Sequence, residues 1–399
     1  MQSAQFNFDA VVARAEQSRA GSRPTVNLAA SASRAQTAYS PGNDRDDGSR
    51  SFSVSASQPL YRPVNSLNMA QSEELVESAA AALEAARQDL AMRVAQAYFD
   101  VLAAGDTLDL LTAQKQAATE QEAAARQGFS VGTVTLTDGM EAQARVDLVS
   151  AQLIGATNDV RARSLTLERL VGRTGMAPDR ISASTGLPDM AAGVLNDWLT
   201  LGTTSQPAIH QAEKTLAVAR LEVLKAEAAE KPTIDLTATY SHQQYPNGTV
   251  AFASTYQTHG PSIGLQFNMP LFAGFALRNR IKETLALEHK AQSDLETAIR
   301  SGQQLVQASY FEATSGREKA QALRTAEIST LKALEASQVG YRIGIRIIID
   351  VLNAQSQLFQ TRRDLAQARY AVLIAGLKLR QAAGVLSIQA LANIDAWTR

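Results

Sequence analysis

The chain repeats itself at long range, and that repeat limits what it can fold into. Gly128 and Gly340, Gly132 and Gly344, Asp138 and Asp350, and Gln143 and Gln355 all stand 212 positions apart. The register holds outward from these points. Tyr98-Phe99 matches Tyr310-Phe311, and Gly172 matches Gly384, again at 212. Towards the N-terminus it drifts slightly: Pro24-Thr25-Val26 matches Pro232-Thr233-Ile234 at 208, and Pro59-Leu60 matches Pro270-Leu271 at 211. Solenoid repeats are far shorter. Each copy is therefore most of half a molecule, reading strand, strand, long helix, tip, long helix.

The strands show in alternation. Val26, Leu28, Ala30 and Ala32 interleave with polar residues, as do Phe52, Val54 and Ala56 with serines. Ile234, Leu236, Ala238 and Tyr240, then Ile263, Leu265, Phe267 and Met269, repeat the pattern. The expected strands are 23–36, 50–58, 232–245 and 257–270, with a turn-rich loop over Tyr39–Arg50, with Pro59 and Pro63 ending the second strand and Pro270 the fourth. They are as long as a tilted transmembrane strand of ~9–11 residues. Alternation alone fits a half-buried sheet in a soluble protein equally well. Four strands cannot close a barrel of useful bore, so a membrane reading requires an oligomer.

The rest is helical. Leu90, Val94, Ala97, Val101, Ala104, Leu108 and Leu111 follow 4-3 spacing, a coiled-coil seam. Gly302, Val306, Ser309, Ala313, Gly316, Ala320 and Leu323 keep the spacing with smaller side chains, which suits closely packed helices. A helix over about 64–126 spans ~90 Å, more than a compact domain needs. Return helices are expected over 136–171 and 348–383, and shorter ones over 8–20 and 207–230. Gly128 and Gly132, and Gly340 and Gly344, relax the backbone between long helices and mark hairpin tips near 128–135 and 340–347. The expected division is a first repeat over 1–172, an irregular connector over 173–206, a second repeat over 207–384 and a tail over 385–399.

Composition narrows the chemistry. A net charge of −1 gives no general pull on nucleic acid. With no cysteine, disulfides, thiolate metal sites and cysteine nucleophiles are excluded. No apolar run is long enough for a transmembrane helix, and residues 1–20 lack the apolar core of a secretory signal, so a mature or shortened form is expected. His210, His242, His259 and His289 fall on different elements. No metal site, cofactor cradle or nucleophile–base arrangement emerges, and no enzyme activity is expected. Asp138 and Asp350 recur at helix starts, where a carboxylate also simply suits the helix dipole.

The run Gly-Tyr-Arg-Ile-Gly-Ile-Arg-Ile-Ile-Ile-Asp-Val-Leu-Asn-Ala-Gln at 340–355 resembles the tip motif of the TolC family of outer-membrane efflux and secretion channels. Pro-Leu-Phe at 270–272, Ala-Tyr-Phe at 97–99, the duplication and the strand pairs before long helices extend the resemblance over nearly the whole chain. It implies an α+β membrane protein, mostly α. In a homotrimer, four strands per protomer would complete a 12-stranded outer-membrane β-barrel in contact with lipid, and the helices a periplasmic coiled-coil barrel.

The resemblance also implies an exit duct serving an inner-membrane pump through a periplasmic adaptor, gated at its tip. The positions matching the gate links are Thr137 and Asp138 in the first tip, and Tyr341 and Arg346 in the second. Those matching the pore constriction are Asp350 and Asn353, where the family carries a second carboxylate. Val131, Gly132 and Thr133, with Ile343, Gly344 and Ile345, would meet the adaptor. The rival readings are a periplasmic adaptor, which would carry one hairpin, and a coiled-coil scaffold, which would need no alternating strands.

Overall fold

The computed structural model describes residues 1–37, 45–176, 178, 191–248 and 254–387. Its elements run α1 (Gln2–Ala20), β1 (Thr25–Thr37), β2 (Arg45–Tyr61), α2 (Pro63–Ser130), α3 (Leu136–Val171), α4 (Leu195–Ser205), α5 (Pro207–Ala228), β3 (Thr233–Tyr245), β4 (Tyr256–Asn268), α6 (Ala276–Arg342) and α7 (Ile348–Ala382). Two compact units divide the chain. One comprises Glu84–Ile209 and Ile299–Arg399 together with Met1; the other comprises Gln2–Leu83 and His210–Ala298. Both α2 and α6 contribute residues to each.

The second unit is built on one antiparallel sheet in the order β1-β2-β3-β4. Its register separates two chemistries. Val26, Val54-paired Leu28, Tyr240, Ala238 and Ile263 share one face; Asn27, Ser55, Thr239 and Ser262 share the other. On the polar face, the Ser31 and Ser51 hydroxyls lie 2.7 Å apart, as do those of Ser33 and Ser49. The apolar face is uncovered: Val26, Leu28, Ile263, Leu265 and Phe267 are all exposed. Below the sheet, Arg62 donates twice to the buried Asp235, at 2.9 and 2.7 Å. On α5, Glu222 accepts from Lys225, Gln71 and Arg280 at 2.8–2.9 Å, and these donors, Lys225 foremost, hold its carboxyl down at about 2.

The helical unit is a layer whose order can be read from burial. On α2, Met92, Ala95, Phe99 and Leu102 are buried in a cluster with Leu373 and Leu377 of α7. A second α2 stripe, Ala97 and Val101, is buried with Leu167 of α3. On the other side of α7, Leu379 and Ala382 are buried with Val306 and Ala313 of α6. Around these clusters the order is thus α3-α2-α7-α6; nearer the tips α3 also meets α7, with Ala142 buried beside Ile348 and Leu352. The inner two helices bury two stripes each. The outer two leave large apolar side chains in the open, Leu148, Ile154 and Leu165 on α3 and Leu305, Phe311 and Ile328 on α6. The predicted seam accounts for Ala97, Val101, Ala104 and Leu111, all buried, and its small counterparts Gly302, Val306, Ser309, Ala313 and Ala320 are buried too.

Four expectations need correction. β2 starts at Arg45 rather than 50 and passes Pro59, which pairs with Asp235; a register shift between Pro59 and Tyr61 accommodates the missing donor. The predicted loop residues Pro41-Gly42-Asn43-Asp44 lie outside the described residues. The first helix begins at Gln2, not Phe8. The connector is not wholly irregular, because α4 forms within it, with Trp198 and Leu199 packed on the α6–α7 cluster. The tail beyond Ser387 lies outside the described residues.

Close packing at α4 depends on a glycine. Gly384 follows α7 with φ 73°, and a Cβ there would meet the Ser205 carbonyl oxygen at 2.2 Å. Its counterpart Gly172 has φ 75° and open space around it. Gly172→Ala is expected to cost about 1 kcal/mol, from the left-handed backbone alone. Gly384→Ala is expected to cost at least about 2 kcal/mol, because backbone must also move. Denaturant midpoints of the two variants in detergent test this difference; equal shifts would refute the packing constraint.

Candidate gate at the helical tips

Both tips are built by one backbone device. In the first, the Thr133 N–H donates to Gly128 O at 2.9 Å and the Gly132 N–H to Phe129 O at 3.0 Å. In the second, the Ile345 N–H donates to Gly340 O at 2.9 Å and the Gly344 N–H to Tyr341 O at 3.1 Å. This pair of bonds is the Schellman helix stop, and it needs a left-handed residue. Gly132 and Gly344 supply it, with φ 78° and 75°. Gly128 and Gly340 serve a different purpose. A Cβ would meet Val134 Cγ2 at 2.5 Å in the first tip and Arg346 Cγ at 2.9 Å in the second, so the returning chain lies against a bare helix surface.

The tips then diverge. Thr135 caps α3: its hydroxyl accepts from the Asp138 N–H at 3.2 Å, and Asp138 Oδ2 accepts from the Thr135 N–H and hydroxyl at 3.0 and 2.7 Å. Ile347 occupies the same position before α7 and offers no side-chain cap. Asp350 is therefore not drawn into a capping box. It lies 3.8 Å from Arg346, a long and exposed ion pair.

The predicted gate residues do not all meet within one chain. Thr137 is exposed at the start of α3, and Asp138 is engaged by Thr135 rather than by Tyr341 or Arg346. Tyr341 is half-buried, packed against clusters holding Ile348 and Leu352 on one side and Leu334, Val351 and Leu358 on the other. Asn353 is exposed and accepts from Arg145 Nη2 on α3 at 3.1 Å. Among the adaptor-contact positions, Val131, Ile343 and Ile345 are exposed apolar residues, and Gly132, Thr133 and Gly344 are exposed with them. Thr135 and Arg145 were missed. The Thr-x-x-Asp spacing at 135–138 is a capping signal that could have identified Thr135. Nothing local could have identified Arg145, whose partner lies 208 residues away.

Two long hairpins with apolar tips, joined in one chain to a sheet with one polar and one uncovered apolar face, define an outer-membrane channel subunit. The chain belongs to the outer membrane efflux protein family, whose model matches residues 1–173 and 201–385. It is 28% identical over 393 residues to outer membrane protein TolC of Vibrio cholerae, covering 97% of this chain and 88% of that one. It is 28% identical over 351 residues to the alkaline protease secretion protein AprF of Pseudomonas aeruginosa, covering 86% and 71%. In fold it is similar to the outer membrane protein VceC of Vibrio cholerae, with a TM-score of 0.81 at 18% identity, covering 96% of this chain and 92% of that one.

The cap asymmetry is testable. Thr135→Ala is expected to cost the first tip about 1 kcal/mol. Amide hydrogen exchange over 136–139 would quicken about fivefold, with exchange over 348–351 unchanged. Unchanged exchange at 136–139 would mean that the cap does not hold the tip.

Proposed function

We propose that this chain is one subunit of a homotrimeric exit duct across the outer membrane, serving a tripartite efflux or type I secretion system. The observation that carries the reading is the sheet. Its outer strands β1 and β4 each have a neighbour on one side only, and its apolar face has no cover. Hydrocarbon tolerates no unpaired strand edge, so the sheet must close with further copies. Four strands from each of three chains give a 12-stranded barrel with the serine and threonine face lining the lumen. The exposed outer sides of α3 and α6 are unlike surfaces, as a head-to-tail ring requires. A single-hairpin adaptor or a plain coiled-coil scaffold accounts for neither the duplicated tips nor this sheet.

The duct is gated where the helices end. Arg346 is the mobile element: its pairing with Asp350 is long and exposed, so it exchanges readily for a carboxylate or hydroxyl at the neighbouring tip, including Asp138 and Thr137. Tyr341 adds a hydroxyl donor on a ring already anchored by packing. Asp350 and Asn353 stand at the constriction. Val131, Ile343 and Ile345, with the glycines beside them, form the surface for the hairpin of a periplasmic adaptor, through which an inner-membrane pump acts. Exposed apolar residues at a tip are the expected mark of such a partner.

Two measurements test the reading. The detergent-corrected mass of the solubilised protein should be that of three chains; a monomer or dimer refutes the shared barrel. In planar bilayers, Tyr341→Phe combined with Arg346→Gln should raise single-channel conductance several-fold, since the ring packing survives and the polar links do not. A trimer with unchanged conductance refutes the gate residues and leaves the barrel standing.

A further inference from the structure

The helical unit holds a polar cavity of about 440 Å³ between α2, α3 and α7. Two arginines line it, Arg145 from α3 and Arg363 from α7, and no carboxylate does. The remaining polar lining is amide and hydroxyl, including Gln114, Ser356 and Gln360. The nearby carboxylates on α7 face other groups. Asp350 lies by Arg346 at 3.8 Å, and Asp364 accepts from the Gln360 amide at 2.8 Å.

The donors are not used up. Arg145 gives Nη2 to Asn353 and Arg363 gives Nη2 to the Gln360 carbonyl oxygen. Among the described residues, the buried Arg363 Nε–H has no hydrogen-bond partner. Native interiors rarely leave such a donor unmet. Two guanidinium groups border a space that no carboxylate lines. Guanidinium forks match carboxylate oxygens in pairs.

We propose that this cavity binds a small carboxylate anion, with Arg145 and Arg363 as its charged donors. Asn353 is the position that opens the site: as a neutral acceptor it orients Arg145 without neutralising it. An aspartate there would satisfy Arg145 from within. The proposal goes beyond the gate assignment, and its binding is read without any current.

The test is calorimetric titration of citrate into the detergent-solubilised full chain at pH 7, after its mass has been checked. One saturable site per chain is expected. Arg363→Gln and Arg145→Gln should each weaken binding at least tenfold, and Asn353→Asp should abolish it. Titration with inorganic phosphate in place of citrate should give weaker binding; phosphate as tight as citrate overturns the carboxylate assignment. Absence of saturable citrate binding by the unaltered protein overturns the site itself. So does binding that survives both arginine changes. If one arginine variant fails to fold, the other and Asn353→Asp decide the matter.

Discussion

The sheet depends on a hydrogen-bonding constraint that a single chain cannot satisfy. β2 and β3 are paired on both sides; β1 and β4 are paired on one. In water the open sides would be solvated, but the exposed row Ile263, Leu265 and Phe267 suits hydrocarbon, where an unpaired backbone group has no partner. Closure by further copies removes the edges altogether. It also explains why the sheet has no apolar core of its own. The apolar face looks out to lipid, and the facing serine ladder, Ser31 to Ser51 and Ser33 to Ser49, needs only water or its own hydroxyls. The helical layer has the same incompleteness. Its inner helices are buried on two sides, and its outer ones carry Ile154 and Phe311 into the open.

Duplication gave two tips with one backbone plan, and the difference between them lies in a few side chains. The Schellman bonds and the left-handed glycine are shared. Thr135 closes the first tip into a capping box that engages Asp138 Oδ2. Ile347 leaves the second uncapped, which frees Asp350 and sets three exposed isoleucines, 343, 345 and 347, around the turn. One tip is thus stiffened by its own polar groups. The other keeps its charge and its apolar surface available for partners. The recurrence of Asp138 and Asp350 in sequence conceals this, because the same residue at the same helix position performs different tasks.

Much of this architecture was legible from side-chain period. Alternation located all four strands, and the 4-3 spacing located the seam that buries Ala97, Val101 and Ala104. The other α2 stripe, Met92, Ala95, Phe99 and Leu102, was not legible, since it is set by α7. α4 was missed because eleven residues rich in threonine and containing Gly202 carry little helical signal alone; packing on Val306 and Leu379 selects the helix. Pro59 misled because a bulge, invisible in one strand, decides whether proline can be accommodated. Of the candidate site, the glycines and Asp350 could be read locally. The Arg145–Asn353 contact could not, as it joins helices from different copies.

The energetics of the tips bear on how such a gate opens. An exposed pair like Arg346–Asp350 contributes little by itself, about 0–1 kcal/mol. Closure resting on a few such links across three chains is worth only several kcal/mol, within reach of a partner's binding energy. The apolar packing beneath is a larger quantity: Tyr341 bridges two clusters that include the buried Ile348, Val351 and Leu352. If opening broke that packing, the cost would exceed what the polar links could regulate. In the proposed gate the second hairpin would therefore move as a packed body, with Tyr341 keeping its contacts to α7 while its hydroxyl and Arg346 changed partners. The bare surfaces at Gly128 and Gly340, which hold each turn tightly on its own helix, would let such a tip swing as one piece.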